Sequence, residues 1–252
     1  MNDLVSRDVE YTHDGTRMIG LLVAPSGARS APTVLLVHDA FGLSGDMVAV
    51  AHGLAELGFA VFAADVWGER TQPATEPEIG PLIGSMVGDR ARWIARVAAA
   101  HDAARDQPEV DGAAVVGLGY CFGGSSVLEY VRAAGDLRGA VSVHGGLDLL
   151  APDWSTPVAT GHVLVCTGSA DPMATAEQRA ALTAALTAAG VSWELDLYGG
   201  AKHAFTSPRA QHSPNPEVVA YDARAAARAW DATVRFLHEL FPAVRLAAGS
   251  AA

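Results

Sequence analysis

The sequence lacks long apolar runs and clusters of basic residues. No stretch of its 252 residues approaches the roughly 18 consecutive apolar residues that cross a membrane. The N-terminal residues also lack the basic and then apolar segments of a secretory signal. Acidic residues outnumber basic ones by 28 to 17, and the net charge of −11 offers no attraction to nucleic acid or to an anionic membrane. We therefore expect a cytoplasmic protein with neither nucleic acid nor a membrane as a partner.

Cysteine and metal-binding patterns are also scarce. The two cysteines are Cys121 and Cys166, and in a reducing compartment we expect both to be free thiols. No His-Glu-x-x-His sequence, cysteine pair or other metal-ligand spacing is present. We expect no metal and no cofactor, a small molecule as the partner, and either a monomer or a homodimer.

The order of apolar segments predicts the fold class. Half of the residues are apolar, and β-type apolar segments alternate with helical ones along most of the chain. Such alternation is typical of a parallel sheet buried on both faces. We predict an α/β-hydrolase fold: a mostly parallel, doubly wound sheet of about eight strands with helices on both faces. The predicted single domain covers residues 1–246 and a disordered tail covers 247–252. The Pro- and Gly-rich segment 71–88 is expected to be the least regular part and is a candidate lid.

One stretch has the pattern of a nucleophile elbow. The apolar run Val115 to Leu118 leads into Gly119-Tyr120-Cys121-Phe122-Gly123-Gly124, and a helix-compatible segment follows. A nucleophile on such a sharp strand-to-helix turn has strained dihedral angles, and its neighbours must lack Cβ atoms for strand and helix to approach each other. The pattern therefore indicates Cys121 as a nucleophile, although a buried cysteine beside a tight turn is an alternative.

An acid and a histidine follow the elbow in the order that α/β-hydrolases use. Asp171 comes after a buried strand and His203 after the last predicted strand. Because the carboxyl ends of parallel strands meet at one sheet edge, we expect both side chains near Cys121. Asp171 could instead cap a helix, and His203 could be a surface histidine. His144 with Asp148 forms a second possible pair, which we rank below Asp171 and His203.

The expected chemistry assigns a role to each group. A thiol with a pKa of roughly 8.5 is only partly ionised at neutral pH, so a histidine must take its proton and an acid must orient the histidine. Ionisation alone gains at most about 30-fold, whereas each oxyanion-hole donor is worth roughly 100- to 1,000-fold. The backbone N–H groups of Phe122 and Ala40 are the candidate donors.

With these residues assembled, the chain resembles the dienelactone hydrolase (carboxymethylenebutenolidase) family of α/β-hydrolases over nearly its whole length. The elbow sequence around Cys121 is similar to the nucleophile motif of the family, and Gly200-Ala201-Lys202-His203-Ala204-Phe205 is similar to its histidine motif. The resemblance implies a triad of Cys121, His203 and Asp171 that hydrolyses an ester or enol-lactone through a thioester.

Two positions depart from the family. The family has a glutamate that contacts the resting thiol and helps to activate it, and the aligned residue here is Asp39, one methylene shorter. An arginine that helps to hold the substrate carboxylate is replaced by Ser207. Arg90, Arg92 and Arg209 are the candidate substitutes for this arginine, although each could be a solvated surface charge.

We therefore expect a cysteine-dependent hydrolase of a small ester or lactone. Two alternatives stay open. The first is a thioesterase or acyltransferase that uses the same triad, although no basic patch for a coenzyme A phosphate is evident. The second is a relative that binds a ligand in its pocket without turning it over.

Overall fold

A computed structural model describes residues 3–244 of the chain. The predicted tail at 247–252 lies outside the described residues, and the single domain over 1–246 stays a prediction. Within residues 3–244 the strands are β1 Leu4–His13, β2 Thr16–Pro25, β3 Ala31–Val37, β4 Ala60–Ala64, β5 Val110–Tyr120, β6 Gly139–Val143, β7 His162–Gly168 and β8 Ser192–Tyr198. The α-helices are α1 Gly45–Glu56, α2 Glu76–Gly88, α3 Arg90–Arg105, α4 Phe122–Arg132, α5 Ala176–Ala188 and α6 Ala223–Leu240.

The strands form one sheet in the order β1-β2-β4-β3-β5-β6-β7-β8. From β4 to β8 in this order, neighbouring strands are parallel. Strand β2 is antiparallel to both of its neighbours, β1 and β4. The turn between β1 and β2 contains Asp14 and Gly15, both with positive φ angles (46° and 73°), as a tight hairpin turn requires. The predicted eight-stranded, mostly parallel sheet of an α/β-hydrolase fold is therefore confirmed.

Helices cover both faces of the sheet, which explains the continuous apolar strands. One apolar cluster joins β-strand side chains to helices α3, α4 and α5, with Trp93 and Leu128 among its fully buried members. The other cluster joins the opposite sheet face to α1 and α6 through residues such as Leu54 and Leu237. Every strand in the centre of the sheet thus buries side chains on two sides.

The parallel register brings the ends of six strands to one edge of the sheet. Val37 at the end of β3 pairs with Gly119 in β5, and Tyr120 at the end of β5 pairs with Val143 in β6. Strands β7 and β8 end in register at Gly168 and Tyr198. The loops that follow β3, β5, β6, β7 and β8 therefore emerge side by side, and they carry the predicted site residues.

The prediction that segment 71–88 is the least regular part of the chain was wrong. Most of it forms α2. In the C-terminal half of this helix, Leu82, Ile83 and Val87 pack against the hydrophobic core. Glu78 stabilises the helix start because its carboxylate accepts hydrogen bonds from the Ala74 N–H and the Thr75 hydroxyl. Pro81 removes one backbone hydrogen bond from the helix. Burial of the apolar residues, which have helical spacing, stabilises the helix by more than this loss.

No α-helix of residues 3–244 combines the length and the apolar character that crossing a membrane requires.

Candidate active site

The turn between β5 and α4 holds Cys121 in a strained backbone conformation. Its φ and ψ angles are 53° and −118°, a region that residues with a side chain rarely adopt. A Cβ atom at Gly119 would lie 2.0 Å from the carbonyl oxygen of Gly123, and one at Gly123 would lie 2.1 Å from that of Val37. Only glycine fits at both positions. The glycines of the elbow are therefore required for the strand and the helix to approach each other, as the sequence predicted.

The structure brings Cys121, His203 and Asp171 together at the sheet edge. Sγ of Cys121 lies 3.1 Å from Nε2 of His203, and Nδ1 of His203 donates a 2.9 Å hydrogen bond to Oδ2 of Asp171. The second carboxylate oxygen of Asp171 accepts the Met173 N–H at 2.8 Å. His203 and Asp171 are buried, and Cys121 is half-buried. This is the geometry of a nucleophile, a base and an orienting acid.

The backbone on both sides of His203 is fixed by a segment that the sequence did not single out. The N–H of His203 donates to the carbonyl oxygen of Val218, and the carbonyl oxygen of His203 accepts the N–H of Ala220. Gly168 ties the acid loop to the histidine loop, since a Cβ there would lie 2.2 Å from the carbonyl oxygen of Ala201. No sequence pattern around residues 218–220 indicates this role, because it depends on a long-range backbone pairing.

The surroundings of His203 favour its charged form. Burial lowers the pKa of His203, but the charge of Cys121 and the hydrogen bond to Asp171 outweigh burial and raise the pKa to about 10. A group with this pKa is protonated at neutral pH. The resting site therefore suits an imidazolium that lies between the sulfur of Cys121 and the carboxylate of Asp171.

The two candidate oxyanion donors lie at adjoining backbone ends. Phe122 is the first residue of α4, where backbone N–H groups have no partner within the helix. Within residues 3–244 neither the Phe122 N–H nor the Ala40 N–H donates a hydrogen bond. The start of α4 lies against the end of β3, since a Cβ at Gly123 would be 2.6 Å from the carbonyl oxygen of His38. Two free donors thus stand near Cys121.

Asp39, the candidate activating carboxylate, lies buried beside this loop. Its Oδ1 atom accepts the Phe41 N–H at 2.8 Å, and burial raises its pKa to about 6. Among the residues that the structure describes, Asp39 makes no hydrogen bond to Cys121. In this arrangement Asp39 orients the turn that contains Ala40, and its activating role stays a prediction.

His144 and Asp148, the second possible pair, are not joined to each other. Nδ1 of His144 accepts the backbone N–H of Cys121 at 3.1 Å, and Nε2 of His144 lies 2.7 Å from Oγ1 of Thr206. Both ring nitrogens are thereby occupied. Sequence reasoning missed this bridge between the elbow and the histidine loop, although the position of His144 at a strand end was a signal.

The three candidate arginines have different contact partners. Arg90 pairs with buried Glu129 at 3.0 Å, and Arg92 donates to the carbonyl oxygen of Ser85 at 2.7 Å. The guanidinium of Arg209 lies 4.8 Å above the Phe41 ring, next to the candidate oxyanion loop. Its Nε atom is 3.5 Å from Oδ2 of Asp46. Their roles in substrate binding stay predictions.

Over residues 3–244 the His, Cys, Asp and Glu side chains form no group of three or more with an arrangement suited to a metal ion.

The chain is similar to known proteins in both sequence and fold. The sequence profile of the dienelactone hydrolase family matches residues 18–241. The crystal structure of P91, a dienelactone hydrolase-like promiscuous phosphotriesterase from metagenomic libraries, is 38% identical with a TM-score of 0.88, and the match covers 94% of this chain and 98% of P91. A structure named m3DLH is 32% identical with a TM-score of 0.87, over 94% and 99% of the two chains. An uncharacterized protein of Caenorhabditis elegans is 31% identical over 147 residues, which is 58% of this chain and 92% of that protein.

Proposed function

The chain belongs to the dienelactone hydrolase family of α/β-hydrolases and is an enzyme of the carboxylic ester hydrolase type, and we propose that it hydrolyses a small ester or lactone with Cys121 as the nucleophile. The observation that carries this proposal is the chain of contacts from Sγ of Cys121 to Nε2 of His203 and from Nδ1 of His203 to Asp171. The nucleophile Cys121, the acid Asp171 and the base His203 also follow one another along the chain in the order of the superfamily.

In the first half of the reaction the Cys121 thiolate attacks the carbonyl carbon of the ester. The C–S bond forms while the carbonyl oxygen becomes negatively charged, and the N–H groups of Phe122 and Ala40 stabilise that charge. Each such donor is worth roughly 100- to 1,000-fold in rate. The C–O bond then breaks, and the imidazolium of His203 gives its proton to the departing alcohol oxygen. For a lactone, this alcohol stays attached to the acyl chain.

In the second half a water molecule releases the acid. Neutral His203 takes a proton from the water molecule while the water oxygen attacks the thioester carbon. The C–S bond breaks, the sulfur leaves as the thiolate, and the protonated imidazole again faces it. Asp171 holds the His203 ring through both halves and stabilises its charged form.

The test is the initial rate of p-nitrophenyl acetate hydrolysis by the wild type and by Cys121→Ala. The matched control is Cys166→Ala, which removes the other thiol from the buried core. We expect Cys121→Ala to lose activity by at least about 10⁴-fold, while folded Cys166→Ala stays active. Full activity of Cys121→Ala would overturn the proposal. Preference for acyl-CoA substrates or for transfer to alcohols would favour a thioesterase or acyltransferase instead.

A phosphate triester is a second candidate substrate, which the 38% identity to P91 favours. The Cys121 thiolate would attack phosphorus, with an S–P bond formed and a P–O bond broken, and the same two N–H groups would face the phosphoryl oxygen. The test is the release of p-nitrophenol from diethyl p-nitrophenyl phosphate, which must disappear in Cys121→Ala.

A further inference from the structure

A cavity of about 290 Å³ lies between α1 and α6, beside the candidate active site. Met47 and Val50 of α1 form one wall, and Ala226, Ala229 and Trp230 of α6 form the other. The Trp230 ring leans on α1, since a Cβ atom at Gly53 would lie 3.5 Å from it. The cavity is thus bounded by two helices that pack on the same face of the sheet.

The inner end of the cavity is formed by residues next to the reacting groups. Tyr120 precedes Cys121 in the chain, and Asp39 precedes Ala40, whose N–H is a proposed oxyanion donor. His144 also lines the cavity, accepts the N–H of Cys121 and has its ring centroid 5.6 Å from that of His203. The cavity therefore adjoins the reacting groups through Asp39, Tyr120 and His144, whereas Cys121 and His203 are not among its lining residues.

The chemistry of the walls selects an uncharged occupant. Most lining side chains are apolar, and the two charged ones are the carboxylates of Asp39 and Asp46. No lysine or arginine lines the cavity within the described part of the chain. A substrate carboxylate would meet the carboxylates of Asp39 and Asp46 here, and the nearby guanidinium of Arg209 is already paired with Asp46 at 3.5 Å. Binding a further negative charge is therefore unfavourable.

The volume limits the occupant to a small group. A cavity of 290 Å³ lies near the lower limit of typical ligand pockets, about 300 Å³, and is roughly twice the size of a cavity of about 150 Å³ that accepts benzene. A short alkyl chain or a single aromatic ring matches this size. The acyl group stays on the enzyme through both halves of the reaction, whereas the alcohol of an open-chain ester leaves after the first half. The cavity therefore suits the acyl group better than the alcohol group.

We propose that the cavity between α1 and α6 binds the acyl group of the substrate and selects a short, uncharged, apolar one. This inference rests on the proposed ester hydrolysis and deepens it. It predicts that dienelactone, which carries a carboxylate, is a poor substrate compared with neutral esters.

The experiment compares kcat/KM for p-nitrophenyl acetate, butyrate and hemisuccinate, whose leaving group is constant. A buried methylene is worth about fourfold and butyrate has two more than acetate, so we expect butyrate to exceed acetate by about 15-fold in the wild type. The hemisuccinate, which carries a carboxylate, is expected to be at least tenfold slower than the butyrate. A flat series, or a hemisuccinate as fast as the butyrate, would overturn the proposal.

Two variants on one helix locate the effect. Ala226→Phe fills the cavity from α6 and is expected to reduce the butyrate-to-acetate ratio to about one. The control is Ala227→Phe, since Ala227 is the exposed neighbour on α6, and its ratio is expected to equal that of the wild type. If the butyrate-to-acetate ratio of Ala226→Phe stayed at the wild-type value of about 15, the assignment of the cavity would be overturned.

A binding experiment separates this inference from the proposed function. Calorimetric titration with phenylacetamide, a neutral aromatic probe, is expected to show binding to the wild type and to Ala227→Phe but not to Ala226→Phe. If no ester is hydrolysed, the proposed function fails while this titration still decides whether the cavity binds apolar groups. If esters are hydrolysed but the probe does not bind, the cavity assignment fails alone.

Discussion

Two buried histidines at the sheet edge have opposite surroundings. His144 follows β6, His203 follows β8, and their ring centroids are 5.6 Å apart. His203 contacts the Asp171 carboxylate and the sulfur of Cys121, which are the two acidic groups of the site. The partners of His144 are a backbone N–H and a hydroxyl, both neutral.

The difference in partners leads to opposite pKa shifts. Burial lowers the pKa of His144 well below its ordinary value, and the positive charge of His203 lowers it further. For His203 the burial effect is outweighed, first by the charge of Cys121, and its pKa rises to about 10. Burial alone therefore does not fix the charge of a histidine. Of these two, only His203 is placed to exchange a proton with Cys121.

The largest expected effect comes from removing the charged partner of His203. Asp171→Asn keeps the shape of the side chain but no longer stabilises the imidazolium or its tautomer, and we expect kcat to fall by about 10⁴-fold. The control is Asp148→Asn, since Asp148 is exposed and makes no hydrogen bond to His144. Comparable losses in both variants, measured as initial rates at neutral pH, would remove the distinction between the two histidines.

Removing the thiol should reduce the difference between the pKa values of His144 and His203. In Cys121→Ala the largest influence that raises the pKa of His203 is absent, so the pKa is expected to fall below the wild-type value of about 10. NMR titration of the imidazole resonances of histidine-labelled protein measures this shift. In the same spectra His144 is expected to stay neutral down to the acid limit of the folded protein. A His203 signal that titrates near 6.5 in the wild type would contradict the account.

The neutral histidine has its own consequence for stability. His144 has an ordinary pKa of 6.5 when unfolded and a much lower one when folded. Below pH 6.5 the unfolded chain therefore binds a proton that the folded chain does not, and stability falls as the pH falls. The contribution has a maximum slope of about 1.4 kcal/mol per pH unit.

Urea unfolding between pH 7 and pH 5 tests this contribution in the wild type and in His144→Asn. The asparagine offers an amide oxygen to the Cys121 N–H but does not titrate, so we expect a shallower loss of unfolding free energy in the variant. Equal slopes in both proteins would show that His144 is not the titrating group.

The smallest expected effect comes from removing the neutral partner of His144. Thr206→Val leaves the Nε2 atom of His144 without its 2.7 Å contact, which is expected to cost about 1 to 3 kcal/mol of unfolding free energy. The pKa of His203 is expected to be unaffected, because Thr206 is not among its charged neighbours. A large shift of that pKa in the NMR titration would show that the two histidines are more closely coupled than we describe.

Much of the fold and of the site could be predicted from the sequence. Continuous apolar strands indicate a buried parallel sheet, and the glycines around Cys121 have a direct steric meaning. The loops of Asp171 and His203 follow predictable strands, so their convergence is a consequence of parallel topology.

The remaining features depend on packing between distant segments. Helix α2 was not predicted because it contains several prolines and glycines, although its apolar residues have helical spacing. The contact of His144 with the Cys121 N–H links positions 23 residues apart. The acyl cavity exists only because α1 and α6 pack side by side, and no local pattern encodes that pairing.

The most direct test of the central claim is to trap the acyl group on the enzyme. Acid quenching of the wild type during turnover of p-nitrophenyl butyrate, followed by peptide mass spectrometry, identifies the acylated residue. We predict a butyryl thioester on Cys121 and none on Cys166. Turnover with no acyl group on Cys121, or with one on a serine such as Ser125, would contradict the account.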